Sequence, residues 1–344
     1  MTEARSVIKV PVSGLPERHH DVFEHAVRNV LSTETARTTY AQIIDGFPIA
    51  SVAQDKRWYD IDYEHPVFKS NHDQLCPGAW EKMEEFHASF DIDVLSMDER
   101  VSRPIDLTPG PSLYGIRWIQ TTNNINTVIQ LLHAYSAESV GSRAFQLRLI
   151  EMVAVAVHQL AVMLHKLGDL KQHDEWKSWK PPNRYIGPDY SPDPKPYPTL
   201  FVHCHFRAYP QYPDGVADMV GYWAENRILG GVVLFDRGES GNQCREVFFH
   251  SDRKNVTDRI YALTEEQKQN LSAFFAHTSN QQSSLLPIVG DSRNRVRVNH
   301  EDAVFMFHVY RDRWEREVLD YRQYPRRCKE IALDYPEMED DNRN

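Results

Sequence analysis

Thr199 to Gly238, TLFVHCHFRAYPQYPDGVADMVGYWAENRILGGVVLFDRG, carries the densest structural signal in the chain. Its first eight residues are an apolar, partly aromatic run of strand length. DGVADMVGYWAENRIL follows with helical spacing, and Asp214 is placed to cap it. GGVVLFDRG then reads as a strand entered through two glycines. Strand, helix and strand in that order make a β-α-β unit. Beyond it, REVFFHS supplies a hairpin partner and TEEQKQNLSAFFAHT a second helix, with Thr264 and Gln267 at capping-box spacing. DAVFMFHVYRDR supplies a last strand. The order β-α-β-β-α-β is that of a ferredoxin-like sandwich, with helices on one face of an antiparallel sheet.

Within the first strand, alternation sends Leu200, Val202, Cys204 and Phe206 to the core, and Phe201, His203, His205 and Arg207 to the opposite face. His203 and His205 are then about 7 Å apart, near enough to converge on one ion. A metal needs further ligands, and His250, His308, Glu225 and Asp236 are the candidates. Three uses of the pair stay open: a divalent metal site, a metal-free pocket with a histidine as acid or base, and an exposed sheet face. For an enzyme, His203 and His205 are the candidate catalytic residues, Arg207 is available to hold an anionic group, and Glu225 joins them from the crossover helix.

The N-terminal half reads as helical. ERHHDVFEHAVRNVL, Glu17 to Leu31, places Val22, Phe23, Ala26, Val27 and Val30 on one face, and PGAWEKMEEFHASF spaces Trp80, Met83, Phe86 and Phe90 likewise. TNNINTVIQLLHAYS and SRAFQLRLIEMVAVAVHQLAVMLHKLG follow a Pro/Gly turn. The second is a helix of about seven turns, stopped at Gly168 and apolar all round from Met152 to Val157, so it is central to its domain. Glu151, His158 and His165 fall nearly on one line along it, about 10 Å apart, too far to share an ion. They are expected as a polar stripe or a buried hydrogen-bonding set. Nine of the 20 prolines lie between Pro181 and Pro213, a stiff extended segment. The expected organisation is α+β: a helical region 1–180, a Pro/Tyr-rich linker or strap 181–198, a sheet domain 199–330 and an acidic tail 331–344.

Of 344 residues, 41% are hydrophobic and 11% aromatic, the composition of a folded chain. A net charge of −10 opposes binding to phosphate backbones, so no nucleic-acid partner is expected. No uninterrupted run of 18 apolar residues occurs and the N-terminus lacks the pattern of a secretory signal, which points to a cytoplasmic protein with no membrane partner. Cys76, Cys204, Cys244 and Cys328 are widely spaced and form no CxxC pair. GxGxxG and GxSxG are absent, RGESGNQ lacks the lysine of a phosphate loop, and FDIDVLSMDER reads as a solvated acidic loop rather than a calcium loop. No cofactor is implied by motif, and a divalent metal is the one that the histidines leave open.

YPDGVADMVGYWAENRILGGVVLFDRGESG and EVFFHSDRKNVTDRIYALTEEQ resemble a group of filamentous-fungal proteins sharing a GYWAE...GGVVLFDRGESG core. The resemblance spans about Tyr197 to Phe275. It implies a fungal source and a place in specialised metabolism, and it brings no activity or catalytic residue with it. Tyr222, Trp223 and Glu225 of that core either face a cleft or cover the sheet. The expected function is a non-redox enzyme of isomerase, cyclase or hydrolase type. Its small organic substrate would bind at the junction of the helical half and the sheet. The rival is a non-catalytic module that recognises another protein.

Overall fold

The computed structural model describes residues 7–56, 64–70, 72–100, 131–168, 174–180, 197–276, 285–312, 315 and 334–335. The chain opens with β1 (Val7–Pro11), α1 (Glu17–Leu31), α2 (Glu34–Asp45), α3 (Ala50–Gln54), α4 (Pro66–Lys69), α5 (Ala79–Ser89) and β2 (Ser96–Arg100). Next come α6 (Leu131–Ala137), α7 (Arg143–Leu167) and α8 (Asp174–Lys177). The remainder holds α9 (Val216–Ile228), β3 (Val232–Asp236), β4 (Val247–His250), β5 (Ile260–Ala262), α10 (Glu265–Ala276), β6 (Arg297–Val298) and β7 (Val309–Tyr310).

Sequence periodicity located α1, α7 and α10. The apolar face of α1 buries Phe23, Ala26, Val27 and Val30. Ser142 Oγ accepts from Phe145 N at 3.1 Å to start α7, which ends at Gly168 with φ 88°, a conformation glycine adopts without strain. The capping box of α10 is reciprocal: Gln267 N donates to Thr264 Oγ1 at 3.1 Å and Thr264 N to Gln267 Oε1 at 2.9 Å. Asp214 does not cap α9. Gly215 holds that position, Asp214 N donates to Asp218 Oδ2 at 2.8 Å, and the Asp214 carboxylate pairs with Lys166. In α5, Met83 is buried as expected, whereas Trp80 stays at the surface beneath Arg37. The acidic FDIDVLSMDER segment holds a short 3-10 turn and β2, which pairs antiparallel with β1. The first part of the helix expected before Leu131, the 181–196 part of the strap and most of the tail lie outside the described residues.

The protein is α+β, with a five-stranded antiparallel sheet in the order β6-β5-β4-β3-β7. The ferredoxin-like connectivity is not what forms. Its first strand, expected at Thr199–Phe206, is irregular chain with a turn closed by Phe206 N donating to His203 O at 3.0 Å. Of the expected last strand only Val309–Tyr310 pairs, and Asp302–Phe307 turns instead. β3 and β4 are in register as Val233↔Phe249 and Leu234↔Phe248. Gly230 has φ 114°, and a side chain there would strike the Ile288 carbonyl, so the entry to β3 needs glycine.

Both faces of this sheet are covered. Val233, Phe235, Phe249 and Tyr261 join a buried cluster with Phe23, Tyr40, Met152, Val157 and Trp223, so the helical half and the sheet share one core. Val232, Leu234, Phe248, Ile260 and Val309 face the other way and meet Val202, Phe206, Tyr212 and Tyr222. Each such side chain, fully buried, stabilises the fold by about 1.5–3 kcal/mol. Among the described residues α7 alone is long and apolar enough to cross a membrane, and 83% of its most apolar window is buried inside the protein.

Candidate metal centre at the His203–Cys204–His205 turn

Because Thr199–Phe206 is not a strand, its side chains do not alternate between core and solvent. Phe201, His203 and Phe206 are all fully buried, and Val202 is nearly so. An exposed sheet face is therefore ruled out for His203. Phe201 packs on Trp223 at 4.6 Å between ring centroids, while Phe206 packs on Tyr222 at 4.6 Å. These two anchors pull the turn down onto α9 and the end of β4. His203, Cys204 and His205 are thereby carried to the place where β4 ends at His250.

Four histidine rings gather there. His203 lies 5.3 Å from His250, and His205 lies 4.3 Å from His250 and 4.1 Å from His300. Backbone carbonyls fix two of the tautomers. His203 Nε2–H donates to His250 O at 3.0 Å and His250 Nε2–H to Asp258 O at 3.2 Å. In His203 that leaves Nδ1 as the lone-pair nitrogen, which accepts from His205 N at 3.3 Å. A ring N–H held by a carbonyl is the usual second contact of a metal-ligating histidine, and His203 would offer its Nδ1 to an ion in exchange for the His205 N hydrogen bond.

Two carboxylates complete the cluster. His205 Nε2 pairs with Asp258 Oδ1 at 3.0 Å, and Asp258 N donates to Asp334 Oδ1 at 2.9 Å. Asp252 Oδ2 accepts from Cys204 N at 3.1 Å, and Asn226 Oδ1 accepts from Asp252 N at 3.1 Å. The other Asp252 oxygen, Oδ1, is buried and makes no hydrogen bond among the described residues. Burial pushes the Asp252 carboxyl above its ordinary range. Burial also pushes the Cys204 thiol well up, with the charges of Asp252 and Asp258 adding to it. His203 is held well below the usual histidine range, first by burial and then by the charge of His205.

Cys204 belongs to two sets of donors. The ligand atoms of His203, Cys204 and Asp252 lie within 4.8 Å of one another, and so do those of Cys204, His205 and Asp258. Tetrahedral zinc with bonds of about 2.0–2.3 Å sets its ligand atoms about 3.3–3.8 Å apart. Each set would draw in around an ion to reach that spacing. Cys204 and His205 are less buried than His203, but the ring of His205 is only 10% exposed, so the cluster lies just beneath the surface.

Of the residues expected from sequence, His203, His205 and His250 come together. Arg207 turns away, donating to Tyr197 Oη at 2.6 Å and lying over the same ring. Asp236 binds its own turn through Gly238 N at 2.8 Å, and His308 sits at φ 55° in the turn before β7. Glu225 faces the opposite side of Tyr222, in a buried network between α7 and α9. It accepts from His158 Nδ1 at 2.8 Å and from Arg311 Nη1 at 2.7 and 2.8 Å, and His158 Nε2 donates to Asp218 Oδ1 at 3.0 Å. Sequence reasoning did not single out His300, Asp252 or Asp258. The signal available for Asp252 was its position two residues beyond His250, in HSD. Comparison with known protein families, with curated proteins and with solved structures finds no match to this chain.

Proposed function

We propose that this chain is a metal-assisted, non-redox enzyme of hydrolase type, acting on a small organic molecule at the His203–Cys204–His205 turn. The observation that carries this reading is the pair of donor sets sharing Cys204. Nitrogen, sulfur and oxygen donors together suit zinc, which has no redox chemistry and polarises a carbonyl or activates a bound water. Three protein ligands leave the fourth position of a tetrahedral ion for water or substrate, reached past the slightly exposed ring of His205. The resemblance of the surrounding core to filamentous-fungal proteins supports a role in specialised metabolism.

The test uses the full chain stripped with chelator. Zinc restores turnover on a panel of small esters, lactones and amides, and Cys204→Ser abolishes both metal uptake at the turn and zinc-dependent turnover. Turnover that is indifferent to chelator, or a Cys204→Ser protein that keeps the metal, overturns the proposal. The non-catalytic alternative draws on one feature, the exposed side chains of Phe305, Met306 and Phe307 in the turn before β7. A full chain that takes up no metal at the turn and turns over nothing in the panel favours that alternative.

A further inference from the structure

A second group of mixed donors lies in the helical half. Asp45 is the last residue of α2, while His72 and Cys76 lie in the loop between α4 and α5. The ligand atoms of Asp45, His72 and Cys76 are all within 4.8 Å of one another. The backbone fixes this meeting. His72 N donates to Val67 O at 3.2 Å, Ala50 N donates to His72 O at 2.7 Å, and Cys76 N donates to Asp45 Oδ2 at 3.1 Å.

Asp45 is the informative member. Its side chain is 0% exposed, it forms no ion pair with Lys or Arg among the described residues, and Oδ1 is buried without a hydrogen bond. A carboxylate in the interior needs a compensating positive charge. His72 Nε2 stands 3.3 Å from Asp45 Oδ2, and the half-buried Cys76 brings a sulfur to the same point. Trp176 packs edge-on against His72 at 5.6 Å and against Phe47 at 5.5 Å, an apolar wall that limits water on that side.

We propose that Asp45, His72 and Cys76 bind a divalent transition-metal ion of zinc type, and that this ion ties the end of α2 to the loop entering α5. One oxygen, one nitrogen and one sulfur donor match the preferences of zinc, and the half-buried side at Cys76 admits a water as fourth ligand. The site shares no element with the His203–Cys204–His205 turn, so the two stand or fall separately.

The experiment titrates zinc, and cobalt as a spectroscopic probe, into the chelator-stripped full chain and into Asp45→Asn, Cys76→Ser and Cys204→Ser. Expected are two equivalents in wild type and one in each variant, and sulfur-to-cobalt absorption that survives in part in each cysteine variant. The thermal midpoint of Cys204→Ser rises by about 3–5 °C at zinc a hundredfold above its dissociation constant, while that of Cys76→Ser in the same zinc rises less than wild type. Cys76→Ser, at a half-buried position, keeps the test informative if Asp45→Asn does not fold. A Cys204→Ser protein that takes up no metal overturns the inference, as does a Cys76→Ser protein that takes up as much as wild type. One equivalent in wild type, kept in Cys204→Ser and lost in Cys76→Ser, supports this site and removes the one at the turn.

Discussion

Two histidine–carboxylate clusters lie on either side of Tyr222, and they are built from nearly the same residue types. In the α7–α9 network, His158 donates from both ring nitrogens to carboxylates, and Glu225 is answered by the Arg311 guanidinium. One heptad earlier on α7, Glu151 is held between Arg148 at 2.7 Å and the fully buried Arg237 at 2.6 Å. Glu151 and Glu225 each meet a fixed arginine there, and Asp218 meets the shared His158. At the His203–Cys204–His205 turn, Asp252 has no Arg or Lys within ion-pair distance among the described residues, and a thiol stands beside it. The first cluster holds its glutamates with arginines in direct contact, whereas at the second the Lys56 charge reaches Asp252 only from beyond ion-pair distance. Residue type alone does not distinguish the two clusters; the placing of their charges does.

The largest expected effect tests the first cluster. Glu225→Gln leaves Arg311 without its carboxylate in the interior and lowers stability by about 3–5 kcal/mol, measured by urea unfolding. A loss below about 1 kcal/mol would break the comparison, because the network would then hold nothing that solvent could not replace.

The second effect is a pH dependence. Burial pushes His158 down, but the hydrogen bonds to Asp218 and Glu225 outweigh it, and its pKa is raised despite the opposing charge of Arg311. Tyr222 from α9 is the other titratable group against the ring, and Tyr40 of α2 bonds the α7 backbone at Val157 O beside it. A raised folded pKa stabilises fully below the unfolded value of about 6.5, and that contribution is lost as pH rises through the folded pKa. The stability gap between wild type and His158→Gln is therefore widest near pH 5.5 and narrows toward pH 9. A gap that widens with pH would show the ring to be neutral and the first cluster less charged than described.

The smallest effect sharpens the contrast from the other side. Cys204→Ser is nearly isosteric and its hydroxyl can donate to Asp252 as the thiol does, so it changes stability by less than about 1.5 kcal/mol while removing metal uptake at the turn. Destabilisation by several kcal/mol would make the turn a second structural network.

Legibility in the sequence followed periodicity and local chemistry. α1 announces itself because it buries one regular face, α7 and β3 because their apolar runs are buried nearly all round, and the Thr264–Gln267 box is a signal contained in four residues. The line of Glu151 and His158 was also visible on α7, although its partners Asp218, Arg237 and Arg311 come from three other places in the chain. Thr199–Phe206 misled because strand-like residues there are buried on every side by tertiary packing, which overrides alternation. His203 and His205 stand out in the sequence, but the cluster they join does not. Asp252, Asp258 and His300 reach them only through the end of β4 and the turn before β7, and Asp45 reaches Cys76 across 31 positions.

Gly221 has one more consequence. A methyl group there would sit 2.5 Å from His158 Nε2, so α9 touches α7 with no clearance at this point. With His158 wedged against the glycine and bonded on both sides, the two helices act as a locked joint that resists sliding and rotation. They form the anvil of the molecule. The turn at His203–Phe206 takes its place from this joint, because Phe206 and Phe201 pack on Tyr222 and Trp223 of the same helix.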